Sequence, residues 1–117
     1  MKKFGKKELK LFKKCGRKWE KVLGLQDWDI VYRLPKKSEA GWIKGYAARV
    51  IWNRTAMSAA VVFCGAKDIN ETVLHELLHL TLCPLICLAG GRYNIDEADV
   101  EYEEHRVIQR LVKLITT

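Results

Sequence analysis

Apolar residues recur at helical spacing near the beginning of the chain. From Phe4 to Leu23 most stand three or four positions apart, with lysines between them; the apolar set is Leu11, Phe12, Cys15, Trp19, Val22 and Leu23. This spacing gathers the apolar side chains on one face of an α-helix. The pattern therefore predicts an amphipathic helix over Phe4–Leu23 that ends near Gly24.

Three short segments then have the pattern of β-strands. In Trp28–Leu34 every second residue is apolar, which is the period of a half-buried strand. Gly45–Trp52 and Ala59–Cys64 also favour strands, and Asn53–Thr55 between them is typical of a hairpin turn. We expect a polar loop, not a regular element, between the first and second strands.

Two more helices are predicted in the second half of the chain. Asp68 is a good N-cap, and Glu71 three residues later completes the spacing of a capping box. The helix that follows is predicted over Ile69 to about Leu82, and Pro84 should help to stop it because proline lacks the backbone N–H. A last helix is predicted over roughly Asp96–Leu114.

The element order predicts a single α+β domain spanning residues 1–117. One helix precedes three strands and two helices follow them, so a small sheet and its helices should share one core. Apolar residues make up 49% of the chain and charged residues 30%, which is ordinary for a globular protein and excludes a disordered one.

The helix predicted for Ile69–Leu82 carries the sequence HExxH. His75 and His79 are four positions apart, so both imidazoles lie on one face, one turn apart, where they can bind a single metal ion. Glu76 is offset by about 100°, close to such an ion without having to bind it. Ordinary core histidines are the simpler interpretation of either His alone, but a pair at this spacing around a Glu favours a metal site.

The rest of that helix is apolar almost all round, so it should be buried. The apolar residues are Val73, Leu74, Leu77, Leu78, Leu80 and Leu82. Burying polar groups without partners costs on the order of 1 to 3 kcal/mol each. A bound cation gives His75, Glu76 and His79 a common partner, so a zinc ion (Zn²⁺) is predicted.

A catalytic zinc site needs a third protein ligand and an open position. The extended metzincin pattern is excluded, because Leu82 and Leu85 stand where it requires Gly and His. Carboxylates of the last helix are the candidates, and that helix has an apolar stripe formed by Val100, Val107, Ile108, Leu111 and Ile115.

On a helical wheel Glu104 falls at the centre of this stripe, which makes it the predicted third ligand. Glu103 and then Glu101 are the alternatives, and His105 is expected to point well away. Glu76 is then the predicted general base, which takes a proton from a water activated by the zinc and passes it to a leaving amine.

The basic residues are concentrated at the N-terminus. Lys and Arg number 21 against 14 Asp and Glu, and ten of the basic residues fall between Lys2 and Lys21. Such a segment can attract nucleic acid, acidic protein or a membrane surface, although a solvated helix face is the simpler interpretation. Nucleic acid contacted by this helix is therefore a possible partner beside a peptide or protein substrate.

The sequence also bears on the location and the assembly of the protein. The four cysteines lie in or beside apolar stretches and the first residues lack the apolar core of a secretory signal, so we expect reduced thiols and a cytoplasmic protein. We expect no membrane partner, because the HExxH residues and Pro84 interrupt the most apolar region. The chain is expected to be a monomer.

With these motifs in place, the chain resembles the compact HExxH metallopeptidases of the zincin class, of the minimal gluzincin type, and their SprT-like and phage-encoded relatives. The resemblance is carried by the run Thr72–Leu80 and by Glu103-Glu104 on the downstream helix. It implies a zincin-like fold, a zinc peptidase activity, and an edge strand that pairs with an extended peptide substrate. The segment Gly45–Trp52 is the expected edge strand.

Two other functions stay open at this stage. One is a basic nucleic-acid-binding accessory protein whose zinc is structural, in which case Cys83 or Cys87 could complete the metal site. The other is a latent or inactive zincin that acts through protein interaction. For an active enzyme, Arg92, Tyr93 and Tyr102 are candidates to stabilise an oxyanion.

Overall fold

The computed structural model describes residues 5–90 and 97–116. Its elements in chain order are α1 (Lys6–Leu23), β1 (Asp29–Arg33), a 3-10 turn (Lys37–Glu39) that continues into the one-turn helix α2 (Ala40–Ile43), β2 (Ala48–Asn53), β3 (Ser58–Phe63), α3 (Ile69–Gly90) and α4 (Glu97–Thr116). The predicted α+β class is confirmed. The short helical turns of 37–43 replace the expected loop, and the predicted end residues Phe4 and Asp96 lie outside the described part.

The three strands form one sheet in the order β1-β3-β2. β2 and β3 pair antiparallel as the predicted hairpin, with Val50 opposite Val61. β1 pairs with β3 in parallel, with Ile30 opposite Ala59. β3 is therefore central, and β2 is an edge strand, as expected for Gly45–Trp52. β2 also contacts α3, which brings the free edge of the sheet beside the HExxH helix.

The core lies between the sheet and helices α1 and α3. Phe12 of α1 stacks on Phe63 of β3 with ring centroids 4.5 Å apart. α3 contacts α1, β2 and α4, so it is the central helix of the fold. The predicted burial of its apolar side chains is confirmed for Val73, Leu74, Leu77, Leu78 and Leu80.

Polar contacts fix α1 against its neighbours. The indole Nε1 of Trp19 donates to Oδ1 of Asn70, at the beginning of α3, over 2.8 Å. The hydroxyl of Tyr32 on β1 donates to the buried carboxylate of Glu20 over 2.6 Å. Gly24 ends α1 as predicted, with φ of 70° in the left-handed region that glycine tolerates.

Helix α3 begins as predicted but does not end there. The carboxylate of Asp68 accepts the backbone N–H of Glu71 over 2.9 Å, which confirms the N-cap. The prediction that Pro84 helps to stop the helix is wrong, since the helix continues to Gly90. A proline removes one backbone hydrogen bond, and the leucines and the alanine that follow it are good helix formers, so the helix runs on through it.

Because α3 continues past Pro84, its apolar segment is longer than the sequence predicted. Ile69–Leu88 is long and apolar enough to cross a membrane by length and composition, the one such segment in residues 5–90 and 97–116. A buried helix of a globular core passes the same test. Leu74 and Leu77 are fully buried, whereas Leu85 and Leu88 near the end of the segment are exposed.

Candidate metal centre

The two histidines of the HExxH motif face each other in the structure. Nε2 of His75 lies 3.3 Å from Nε2 of His79. Two nitrogen ligands at about 2.0–2.1 Å from a tetrahedral zinc ion are themselves roughly 3.3 Å apart. The helical spacing therefore brings the two nitrogens to the separation that one shared ion requires.

Glu104 approaches this pair from α4. Its Oε2 lies 2.9 Å from Nδ1 of His79, and its side chain is only 7% exposed. A carboxylate accepts at this contact, so Nδ1 of His79 carries the hydrogen and Nε2 keeps its lone pair toward His75. The predicted burial of Glu104 on the apolar face is confirmed. Its role as a ligand stays a prediction, because the contact orients the imidazole from the side opposite His75.

His105 lies beside both HExxH histidines, which corrects the expectation that it points away. Its ring centroid is 4.8 Å from that of His79 and 6.1 Å from that of His75. Its Nδ1 donates to the backbone carbonyl of Glu101 over 2.8 Å, so Nε2 is the nitrogen left for a metal. The candidate ligand atoms of the three histidines all lie within 4.8 Å of one another.

The expectation for His105 is wrong because α4 is rotated about its axis relative to the orientation that the helical wheel gives. Among residues 98–116 the buried ones are Glu104, Ile108 and Val112, a single row at four-residue spacing. Val107, which the wheel placed in the apolar stripe, is 41% exposed. The face that packs on α3 is therefore turned toward the His105 side, and a wheel drawn from apolar residues alone misplaced it by less than a quarter turn.

The other candidate ligands are less favourably placed. Glu103 is exposed and pairs with Arg106 over 3.2 Å. Glu101 is exposed, although it lines the same cavity as the histidines. Cys83 is buried, and burial together with the neighbouring Cys87 thiol raises its pKa to about 11, which disfavours the thiolate that a metal needs. All four cysteines of the chain are free thiols.

Glu76 lies in the wall of the cleft beside the histidines and is 8% exposed. Burial raises the pKa of its carboxyl to about 8, the guanidinium of Arg49 lowers it and Glu104 raises it. A carboxyl held near neutral pKa suits a group that takes up and releases a proton. Burial also lowers the pKa of His75 to about 4, with His79 and His105 acting in the same direction, so His75 is a neutral imidazole at pH 7.

Arg49 on the edge strand is a site residue that the sequence analysis missed. Its guanidinium lies between two aromatic rings, 4.5 Å from the centroid of Trp42 and 4.3 Å from that of Tyr46. It also donates to the carbonyl of Trp42 over 2.8 Å. The alternation of cationic and aromatic residues in 42–49 was the available signal, but it does not tell which side of the strand they occupy.

Arg49 and Tyr46 line a cavity of about 270 Å³ together with the three histidines and Glu76. The residues proposed earlier to stabilise an oxyanion are elsewhere or outside the described part. Tyr102 is 64% exposed and contacts Arg106. Arg92 and Tyr93 lie outside the described residues. Arg49 is thus a cation placed by the structure beside the candidate base.

The chain matches no protein-family model, no curated protein and no solved structure. The interpretation of the centre therefore depends on its own geometry.

Proposed function

We propose that this protein is a zinc-dependent hydrolase of the zincin type that cleaves peptide bonds. The observation that carries the proposal is the 3.3 Å separation of the His75 and His79 Nε2 atoms, with Glu76 beside them and not within the ligand group. A donor set of neutral imidazoles suits zinc among the common metals. The open edge of β2 beside the site supports an extended peptide as substrate.

The residues of the chain divide the chemistry between them. His75 and His79 hold the ion together with one residue of α4, for which the geometry favours His105 and the sequence pattern favours Glu104. When bound, zinc supplies a Lewis acid that polarises a carbonyl and activates water. Glu76 takes the proton of the attacking water and returns it to the leaving amine. Arg49, a fixed cation at the cavity wall, stabilises negative charge that develops at the carbonyl oxygen.

The test combines metal content with peptide cleavage. Purified protein is expected to contain about one zinc per chain by elemental analysis, and His79→Ala should lose it. Glu76→Gln should keep the zinc and lose cleavage of casein or peptides by at least about a hundredfold, within the range attributed to a general base. Asp27→Asn, a carboxylate-to-amide change at an exposed position that lines neither cavity, serves as the matched control.

Two results would contradict the proposal. Protein that binds no transition metal has no zincin centre. Cleavage that survives Glu76→Gln at the wild-type rate removes the base and points to a contaminating protease or another mechanism.

A second candidate function is favoured by the distribution of charge on α1. Its cations fall within an arc of about 140° opposite the buried face, along roughly 22 Å of helix; they are Lys6, Lys7, Lys10, Lys13, Lys14, Arg17, Lys18 and Lys21. Phe12 and Trp19 on the other face are buried in the core, so the two largest apolar side chains of α1 are not available to a bilayer, although Leu11 and Val22 are exposed. Nucleic-acid phosphates are the polyanion that such a stripe fits best.

Salt-dependent binding of a DNA duplex tests this second candidate. Charge reversal at Lys10, Lys13 and Lys14 should weaken binding and reduce its salt dependence, whereas reversal at the exposed Lys37, Lys44 and Lys67 should do so much less. Equal loss in both triple variants would show that net charge, and not the stripe, attracts DNA. Binding that is absent at low salt would contradict the candidate outright.

A further inference from the structure

A groove leads away from the candidate metal centre along one half of α4. It has a volume of about 770 Å³ and begins at His75 and Glu76. One side is formed by the segment that enters β2, from Gly45 to Ala48, and the other side by the second half of α4. The groove therefore continues the cleft of the proposed active site along the edge strand.

The charge of α4 changes sign at His105. Before it the helix carries Glu101, Glu103 and Glu104, and after it Arg106, Arg110 and Lys113. All three cations line the groove. Glu101 and Glu104 line the smaller cavity on the other side of the histidines, together with Trp52 at the far end of β2. Along α4, the cleft is thus acidic before the metal centre and basic after it.

Besides Glu76, the groove is lined by two acidic residues at the beginning of α3. Asp68 and Glu71 line it at the N-terminus of α3, where the Asp68 carboxylate accepts the backbone N–H of Glu71 as the N-cap. Arg106 is partly engaged, because it pairs with the exposed Glu103. Arg110 is exposed, and it forms no hydrogen bond or ion pair with any of the described residues. It is the cation of the wall best able to receive an anionic group.

We propose that this groove selects peptides that carry a carboxylate a short distance from the cleaved bond, either an Asp or Glu side chain or the C-terminal carboxylate. The inference depends on the proposed peptidase function. Along α4, Arg110 and Lys113 lie about 7.5 and 12 Å beyond His105 at a rise of about 1.5 Å per residue. An extended peptide advances about 3.3 Å per residue, so the carboxylate belongs two to four residues from the cleaved bond.

Cleavage of randomised peptides tests the selection. A pool of decapeptides with acetylated and amidated ends is digested, and mass spectrometry gives the residues on either side of each cut. Since exposed ion pairs are individually weak, we expect Asp and Glu to be preferred over Asn and Gln by roughly three- to tenfold, two to four residues from the cut and on one side only. The preference should shrink at high salt.

Two further experiments test the source of the carboxylate and the role of Arg110. A second pool with free C-termini shows whether a terminal carboxylate replaces the acidic side chain. Arg110→Glu should remove the preference for Asp and Glu, whereas Lys37→Glu, a charge reversal at an exposed position that lines neither cavity, should leave it intact. Equal use of Glu, Gln and Lys by the wild-type protein, or an unchanged preference in Arg110→Glu, overturns the proposal.

Measurements of peptide binding distinguish failure of this inference from failure of the proposed function. Zinc-loaded Glu76→Gln is titrated with fluorescein-labelled decapeptide pools that carry either a fixed Glu or a fixed Gln, and polarisation is measured. If no peptide is cleaved but the Glu pool binds at least threefold more tightly and Arg110→Glu removes the difference, the groove is as proposed and the peptidase function fails. Equal binding of the two pools in protein without peptidase activity overturns both.

Discussion

The carboxylate of Glu104 lies 2.9 Å from Nδ1 of His79, on the nitrogen opposite the one that faces His75. A buried acid in this position fixes both the orientation and the tautomer of a metal-binding imidazole. It also explains why a carboxylate stands in the buried row of α4, beside the apolar Ile108 and Val112. The same contact gives Glu104 a role in the centre whether or not it binds the ion itself.

Substitution of the two α4 candidates should identify the third ligand. If His105 is the ligand, His105→Ala should weaken zinc binding by well over a hundredfold. Glu104→Gln should then weaken it by at most about 10–100-fold, because the amide oxygen still accepts from Nδ1 of His79. Titration with a competing chelator measures both affinities, and Glu103→Gln is the control at an exposed position. The reverse order of effects would make Glu104 the ligand, as the sequence pattern predicts.

The stability of the metal-free protein should fall as pH rises from 6.5 to 8. Glu76 has a pKa raised to about 8, so its contribution is complete below its ordinary value of 4.5 and is lost as pH rises through 8. His75 has a pKa lowered to about 4, so its contribution is lost only as pH falls from 6.5 through 4. Between pH 6.5 and 8 the loss at Glu76, on the order of 1 kcal/mol, is larger than the small gain that remains at His75.

Denaturant unfolding with a chelator present, at pH 6.5 and pH 8, measures this effect. Glu76→Gln should remove the loss, because the amide does not titrate. Saturating zinc should also reduce it, since a nearby cation favours the carboxylate. An equal loss in wild type and Glu76→Gln would assign the pH dependence to other groups.

Gly16→Ala should destabilise the protein. A Cβ at Gly16 would overlap the ring of Tyr32, which is buried, packs edge-on against Phe12 and is held by its hydrogen bond to Glu20. Overpacking of this kind costs about 1–3 kcal/mol, against a gain of up to about 1 kcal/mol from replacing a helical glycine. Thermal unfolding should show a lower Tm. Gly41→Ala, where a Cβ meets open space, should be neutral or slightly stabilising.

Loss of the hydrogen bond between Trp19 and Asn70 should loosen α1 from α3. Asn70→Ala leaves the largely buried indole N–H without its 2.8 Å acceptor, at a cost of about 1–2 kcal/mol in the free energy of unfolding. A double-mutant cycle with Trp19→Phe isolates the pair, because the second change removes the donor but keeps an aromatic ring. A coupling energy near zero would mean that water replaces the contact without loss.

The sequence determined the elements of this protein through local periodicity. The alternation of Trp28, Ile30 and Tyr32 predicted a strand whose side chains at these positions are buried, and all three are. The HExxH spacing brought two imidazoles together because residues four apart on a helix are neighbours wherever that helix lies. Glu104 was recognised as a buried acid by its place among apolar residues. Each of these is a short-range property.

The tertiary structure decided what depends on how distant segments pack. The parallel pairing of β1 with β3, the approach of His105 to His79 and the placement of Arg49 and Glu76 around one cavity each join residues from separate elements. A helical wheel gives angles about one axis, but not how α4 rotates against α3, and Val112 replaced Val107 in the contact. Which α4 side chain reaches the two imidazoles is thus set by helix packing, because the free energy of burial is shared among all the residues of the core.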